Sequence, residues 1–346
     1  MAAKVGMSED KVRLALTVGD PGGIGPEITA ALLAQRKLAG ADVFVVGAYS
    51  ALSVWLPLPA CKAAHVISPA EAAHLALPDS FPVFIDTGVE PKYPRGRPTV
   101  EGGRASGLAI ETAAALAKRG VVEGIVTGPV SKEGLALAGY SRASHTGMLA
   151  DLFDAPDCQM MMVSGALRIV ILTRDIPLRE VPAAVTGKRI ETGVRVAAEA
   201  LRELFGLARP RLAVAALNPH GGDGGVLGDE EIRVVVPALE AMRSEGYLVE
   251  GPFSADTLFY KWADKGYDAY IALYHDQGMV PFKMAGFERG VNMTIGLPVV
   301  RTSVCHGTAY DIAGSGTAST GSLESAFMLA VECCLARRKR RRARKV

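Results

Sequence analysis

Aromatic residues are scarce in this chain, at 6% with two tryptophans, and acidic and basic side chains nearly cancel to a formal charge of +2. The first shortage speaks against a stacking surface for bases. The second removes the basic field that draws a protein to nucleic acid or anionic membranes. Cysteine is sparse as well. Cys61, Cys158, Cys305, Cys333 and Cys334 are irregularly spaced and form no CxxC pair, which argues against a zinc knuckle or a disulfide framework and fits a reducing compartment. The opening MAAKVGMSEDK has neither an apolar core nor a cleavage site, so no signal peptide is read there and a cytoplasmic location is expected. The uncharged stretch 43–61 contains Gly47, Pro57 and Pro59. It reads as a strand followed by a loop, and no membrane span is expected.

What is present is enough apolar material for a large core: 49% of 346 residues, room for one large domain or two ordinary ones. Short runs of Val, Ile and Leu alternate with segments of helical period. Strands are expected at 13–18, 42–46, 124–127, 167–172, 212–216 and 269–273, and helices at 25–35, 104–118, 190–204, 229–244 and 321–336. This alternation predicts an α/β fold, a mostly parallel sheet with helices on both faces. Antiparallel strands are expected over 160–172, across Ser164-Gly165. The basic run from Arg337 to Lys345 reads as a solvated, disordered tail at 337–346. Attachment to nucleic acid is the alternative reading of that run, and no nucleic-acid partner is expected.

Chemistry-bearing residues cluster just after the strands. His220 stands in Leu217-Asn218-Pro219-His220-Gly221-Gly222, and His275 in Tyr274-His275-Asp276-Gln277-Gly278. Ligands of open α/β sheets gather beyond the carboxyl ends of strands. Neutral imidazoles converging there from separate strands suit a divalent cation; hydrogen-bonded structural histidines are the alternative. His145-Thr146 opens a helix, where N–H groups and the dipole favour phosphate or carboxylate, or where the pair simply caps it. Lys283, Asn292 and Arg301 fall within one stretch. Arg301 follows Leu297-Pro298-Val299-Val300, which places its guanidinium at a strand end, and a guanidinium grips phosphate through two parallel bonds. Taken singly, each of the three reads as a surface group. Two glycine-rich loops remain, at 19–27 and 306–314. The first holds no GxGxxG, so an ordinary Rossmann fingerprint is absent. Glycines in the second let a backbone approach a dinucleotide closely; tight turns are the alternative for both.

Together, GDPGGIGPEI, LNPHGG, GPFSADTLF, YHDQG, GVNMTIGLPVVRTS and HGTAYDIAGSG resemble the 4-hydroxythreonine-4-phosphate dehydrogenase family of pyridoxine biosynthesis, from about residue 14 to 327. The two glycine loops also resemble those of isopropylmalate dehydrogenases. The resemblance implies an isocitrate/isopropylmalate-dehydrogenase-like fold, two α/β/α domains with a cleft between them. The first takes 1–128 plus 293–336 on the cofactor side, and the second takes 129–292 on the metal and substrate side. It also implies a homodimer with the active site at the interface, NAD or NADP as oxidant, and one divalent cation, Zn, Mg, Mn or Co. On that basis His220 and His275 are metal ligands. His145, Thr146, Lys283, Asn292 and Arg301 hold a small phosphorylated substrate, and Gly19, Gly22, Gly307, Thr308 and Asp311 lie along the cofactor.

Two departures stand out. The family's third ligand is a histidine in a segment like Thr-His-x-x-Leu-Arg; here the segment runs Thr173-Arg174-Asp175-Ile176-Pro177-Leu178-Arg179, and Asp175 takes its place. A carboxylate is a competent ligand that suits Mg or Mn and weakens the cation's Lewis acidity. The family's Gly-His-Thr-Glu becomes Ser144-His145-Thr146-Gly147, which loses a carboxylate. The expected reaction is oxidation of a phosphorylated 3-hydroxy acid followed by decarboxylation, with Lys283 moving a proton and Asp175 in the catalytic set. A 4-phospho-D-threonate or erythronate dehydrogenase, a diol-carboxylate dehydrogenase of the same family, and a catalytically degenerate binding protein are the alternatives.

Overall fold

A computed structural model of the chain describes residues 11–34, 38, 40–62, 64–74, 81–88 and 94–344. Two compact units emerge. The first is Met1–His145 with Gly307–Thr320 and Phe327–Leu335; the second is Thr146–His306 with Gly321–Ala326 and Ala336–Val346.

The first unit alternates strand and helix. Its elements are β1 (Val12–Thr17), α1 (Gly25–Ala34), β2 (Ala41–Gly47), α2 (Tyr49–Ser53), α3 (Leu58–Lys62), β3 (His65–Ile67), α4 (Pro69–Ala72), β4 (Val83–Asp86), α5 (Val100–Lys118), β5 (Gly124–Thr127) and α6 (Lys132–Leu137). Its strands lie in the order β3-β4-β2-β1-β5 and every pairing is parallel. Parallel strands covered on both faces must be apolar throughout, and Leu14, Ala15, Leu16, Val43, Phe44, Val45 and Val46 are all buried. α5 begins where the Thr99 hydroxyl accepts from Gly102 N–H at 2.9 Å, replacing a lost backbone bond. The stretch after β2 was expected to be loop. It forms α2 and α3 instead, because its prolines fall outside the first helix and at the start of the second, where a missing N–H costs nothing.

The second unit contains α7 (His145–Phe153), β6 (Gln159–Ser164), β7 (Leu167–Thr173), α8 (Val181–Ala184), α9 (Gly187–Leu204), β8 (Arg211–Ala215), α10 (Val236–Ser244), β9 (Leu248–Phe253), α11 (Ala255–Leu258), β10 (Ala269–Tyr274), α12 (His275–Gly286), β11 (Val291–Ile295) and β12 (Val300–Val304). The strand order is β12-β11-β6-β7-β10-β8-β9. β7, β10, β8 and β9 are parallel. β12, β11, β6 and β7 are successively antiparallel, with the hairpin expected across Ser164-Gly165 in place. α9 buries Ile190, Val194, Ala197, Ala198, Leu201 and Leu204, one face of a 3.6-residue period.

Two further expectations change. The helix foreseen at 229–244 opens as a π turn, Glu231–Val235, before α10 begins with Pro237 in its first turn; proline cannot extend an α ladder but can begin one. The basic run is not a separate tail. α13 spans Gly321–Ala343, because its cations find partners on α9: Arg344 Nη1 lies 3.3 Å from Glu203, Arg337 Nη2 lies 4.0 Å from it, and Arg340 donates to the Arg202 carbonyl at 2.9 Å. Lys345 lies outside the described residues.

Candidate active site

Three of the candidate residues leave neighbouring parallel strands at one edge of the second unit. In the strand order β7-β10-β8, Asp175 comes two residues after β7, His275 directly after β10, and His220 five residues after β8. Thr173 and Tyr274 are register partners, so β7 and β10 end side by side, one strand spacing of about 4.8 Å apart. All three side chains are exposed. Two nitrogens and a carboxylate are a donor set for a borderline or hard divalent cation. Among the described residues, no group of three or more His, Cys, Asp or Glu is already close enough to hold a metal ion. The chain delivers the donors to one edge without gathering them around one point.

The edge is stapled by polar side chains that sequence reasoning passed over. Thr173 Oγ1 donates to the Leu273 carbonyl at 2.7 Å and ties β7 to β10. Gln277, nine-tenths buried, accepts from Leu273 N–H at 2.7 Å and donates to the Ala216 carbonyl at 2.6 Å, which ties the His275 segment to the His220 segment. Glu231, 2% exposed, accepts from the N–H groups of Leu217 and Asn218, both at 2.7 Å, and from Asn218 Nδ2 at 2.9 Å. Buried carboxylates persist only when hydrogen-bonded this fully. Gln277 lies within the YHDQG motif, so its place after a strand was a signal available in the sequence. Glu231 was invisible because its bonds cross a fourteen-residue gap.

His220 itself sits in an unusual turn. His220, Gly221, Gly222, Asp223 and Gly224 all have left-handed backbones, with φ of 54°, 67°, 81°, 45° and 66°. Three glycines make this possible. Just after the neighbouring strand β10, His275 Nδ1 is 2.7 Å from Asp276 Oδ1. A carboxylate on one imidazole nitrogen orients the ring and leaves Nε2 for a ligand. Asp256, in GPFSADTLF, has its carboxyl pKa lowered by the Ser254 hydroxyl above all, and in smaller part by the nearby His220.

Arg301 was expected after a strand; it is the second residue of β12. The outcome is the same edge by another route. β12 runs antiparallel to β11, so its beginning lies where the parallel strands end. Arg301 pairs in register with Thr294 and donates to its Oγ1 at 2.9 Å. It is 1% exposed, and burial pulls its pKa down to about 9. Asn292 shares the Arg301 face, two residues before Thr294 on β11, and its buried Oδ1 has no hydrogen-bond partner among the described residues. Lys283 is exposed on α12 with Nζ 5.3 Å from the Phe287 ring centre. It follows His275 by eight residues, about 12 Å of helix, so the two do not touch within one chain. His145 and Thr146 are the first two residues of α7, both half-buried.

In the first unit the two glycine loops lock together. Ile24 N–H donates to the Thr308 carbonyl at 3.0 Å, Gly314 N–H to Glu27 Oε2 at 2.9 Å, and Tyr310 O–H to Asp20 Oδ2 at 2.7 Å. Gly23 has no room for a side chain, since a Cβ would lie 2.7 Å from the Thr308 oxygen. Gly19 precedes Asp20, whose N–H donates to Pro129 O at 2.8 Å, and Gly22 N–H donates to Asp20 Oδ1 at 2.8 Å. Gly307 and Asp311 are exposed and Thr308 half-buried along the second loop. A separate cavity of about 480 Å³ in the second unit, with Glu199, Glu203 and Arg337 in its wall, contains none of these candidate residues. No helix among the described residues is long and apolar enough to cross a membrane.

The chain is similar to known proteins along most of its length. The model of the pyridoxal phosphate biosynthetic protein PdxA family matches residues 39–330. A 4-hydroxythreonine-4-phosphate dehydrogenase of Geobacter metallireducens is 40% identical over 331 residues, covering 94% of this chain and 96% of that protein. The crystal structure of 4-hydroxythreonine-4-phosphate dehydrogenase from Klebsiella pneumoniae superposes with a TM-score of 0.79 at 40% identity, over 94% of this chain and 98% of that one. A terephthalate 1,2-cis-dihydrodiol dehydrogenase from Burkholderia xenovorans follows at 28% identity and a TM-score of 0.64, over 93% and 98%. With a family match over residues 39–330 and relatives 40% identical along nearly its whole length, the chain belongs to the pyridoxal phosphate biosynthetic protein PdxA family and is an oxidoreductase.

Proposed function

We propose that this protein oxidises the hydroxyl of a small phosphorylated 3-hydroxy acid with NAD or NADP in the presence of one divalent cation, and that the resulting keto acid loses carbon dioxide. The carrying observation is that Asp175, His220 and His275 follow three adjacent parallel strands at one edge, with Arg301 opening β12 at the same edge. His220, His275 and Asp175 would hold the cation, and the interlocked loops around Gly22 and Thr308 would hold the dinucleotide. When bound, the dinucleotide takes up the hydride and the cation lowers the pKa of the hydroxyl being oxidised.

The chain's own groups do the rest. Arg301, desolvated and charged, supports a phosphate ester more strongly than a solvated cation does. Asn292 offers a buried acceptor to a substrate hydroxyl. Lys283 is the candidate for carrying a proton to or from the carbon skeleton. Because Lys283 lies about two turns of α12 from His275, we infer that a second copy of the chain completes the site. The exposed apolar residues Val280 and Met284 on that helix and Phe287 just after it, 55%, 84% and 42% accessible, give such a copy a surface to cover.

The relatives from Geobacter metallireducens and Klebsiella pneumoniae act by name on 4-hydroxythreonine 4-phosphate. Gly147 and Asp175, which stand where the family's pattern has Glu and His, favour a second reading, in which a phosphorylated threonate or erythronate or an unphosphorylated diol carboxylate is the substrate. Assaying reduced-dinucleotide formation against these three classes with Mg, Mn, Zn or Co decides between them. Absence of dinucleotide reduction with all of them would sink the enzymatic reading in favour of a ligand-binding role. Lys283→Ala should bind substrate and fail to turn it over; loss of binding alone would assign Lys283 to the substrate's anionic end.

A further inference from the structure

Asp20 is 1% exposed, yet carries a carboxyl group that the proposed chemistry does not use. Its two oxygens serve two different chain segments. Oδ1 accepts from Gly22 N–H at 2.8 Å in the first glycine loop, and Oδ2 accepts from Tyr310 O–H at 2.7 Å in the second. Its own N–H fixes it to the Pro129 carbonyl at 2.8 Å, just after β5. The Tyr310 hydroxyl is held further by the side chains of Ser131 and Thr308. Small residues close over the carboxyl from two helices: a Cβ on Gly102 would lie 3.0 Å from Oδ1, and one on Gly134 3.5 Å from Oδ2.

An apolar residue would fill the same space without the cost of desolvating a carboxyl group. What a carboxylate adds is direction, because two charge-assisted bonds of fixed length set the separation of the groups they join. The joined groups border Gly22, Gly307 and Thr308. We propose that Asp20 is the positioning residue of the dinucleotide site, holding the two glycine loops at the spacing the dinucleotide requires by bridging Gly22 N–H and Tyr310 O–H. This inference rests on reading those loops as the cofactor site.

The experiment is fluorescence titration of the purified full chain with NADH and NADPH, alongside steady-state kinetics, for wild type, Asp20→Asn, Asp20→Glu and Tyr310→Phe. Loss of a bond to a charged group weakens binding by about tenfold or more. Asp20→Asn should therefore raise the dinucleotide Kd and KM at least about tenfold, with kcat at saturating dinucleotide changed far less. Tyr310→Phe should show a smaller shift in the same direction, and the double variant less than the product of the two. Asp20→Glu should recover part of the loss, which a general packing defect would not. If Asp20→Asn does not fold, Tyr310→Phe alone decides. Dinucleotide affinity equal to wild type in Asp20→Asn, or in Tyr310→Phe where that variant decides, overturns the positioning role alone. Failure of the wild-type protein to bind either dinucleotide overturns the cofactor reading and this inference with it.

Discussion

Replacing Gln277 with leucine tests whether the strand-end edge is a braced platform. The amide makes two short bonds, to Leu273 N–H at 2.7 Å and the Ala216 carbonyl at 2.6 Å. Both Leu273 and Ala216 are fully buried, so water does not replace the lost partner. Leucine is close to glutamine in volume, so the change removes hydrogen bonds with little change in packing. A buried backbone group left without a partner costs about 1–3 kcal/mol. Two such groups, less about 1 kcal/mol returned by the added apolar surface, give a loss of about 1–5 kcal/mol, which an ordinary domain survives. Urea denaturation should show a lowered midpoint at constant slope, and the Leu273 amide should exchange faster in deuterium. Because the same side chain links the His220 and His275 segments, affinity for Zn or Co should fall roughly 10–100-fold, as for other residues that orient ligands. A stability loss under about 0.5 kcal/mol, within the scatter of surface substitutions, would refute the brace. A full stability loss with unchanged metal affinity would refute its connection to the site.

Asp175→His should shift metal preference from Mg or Mn toward Zn or Co by at least about tenfold, read by chelator competition. The residue has φ 47°, a region histidine enters more readily than most residues, so an unchanged preference would remove Asp175 from the ligand set. Met284→Glu places a charge in the exposed apolar surface on α12 and should convert the proposed dimer to monomer by light scattering. An unaltered dimer would move the interface elsewhere. Burial raises the Asp20 carboxyl pKa, opposed by its bonds from Tyr310 and Gly22. Since the folded value lies above the unfolded one, Asp20's contribution to stability is complete below about pH 3.9 and is lost as pH rises through the folded pKa. Asp20→Asn cannot ionise, so its stability relative to wild type should improve as pH rises above about 4 in urea titrations. A constant difference would contradict the raised pKa.

The parallel core was readable because its strands are apolar without interruption. β5 at 124–127 and the hairpin at Ser164-Gly165 fall where the sequence put them. His220 and His275 were legible by position alone, each following such a run. What the sequence concealed was direction and distance. Arg301 was assigned to the end of a strand because the run before it is apolar; that run is a turn, and the edge is reached because β12 reverses. The basic stretch after residue 336 looked unstructured because its partners, Glu203 and the Arg202 carbonyl, lie on a helix more than 130 residues earlier. Asp20 and Tyr310, 290 residues apart, left no local pattern to read.

At Gly221 and Gly224 the turn that carries His220 is governed by chirality, whereas at Gly222 it is also governed by room, since a Cβ there would collide with the Gly228 carbonyl oxygen. Gly221 and Gly224 have open space where a Cβ would stand, so only backbone handedness bars a side chain there. An L-residue in that conformation costs about 1–2 kcal/mol, and its mirror image does not. A ligated protein bearing D-alanine at position 221 should keep the turn and tighten it, since the unfolded chain loses glycine's freedom, whereas L-alanine should unwind it and carry the imidazole away from its strand end.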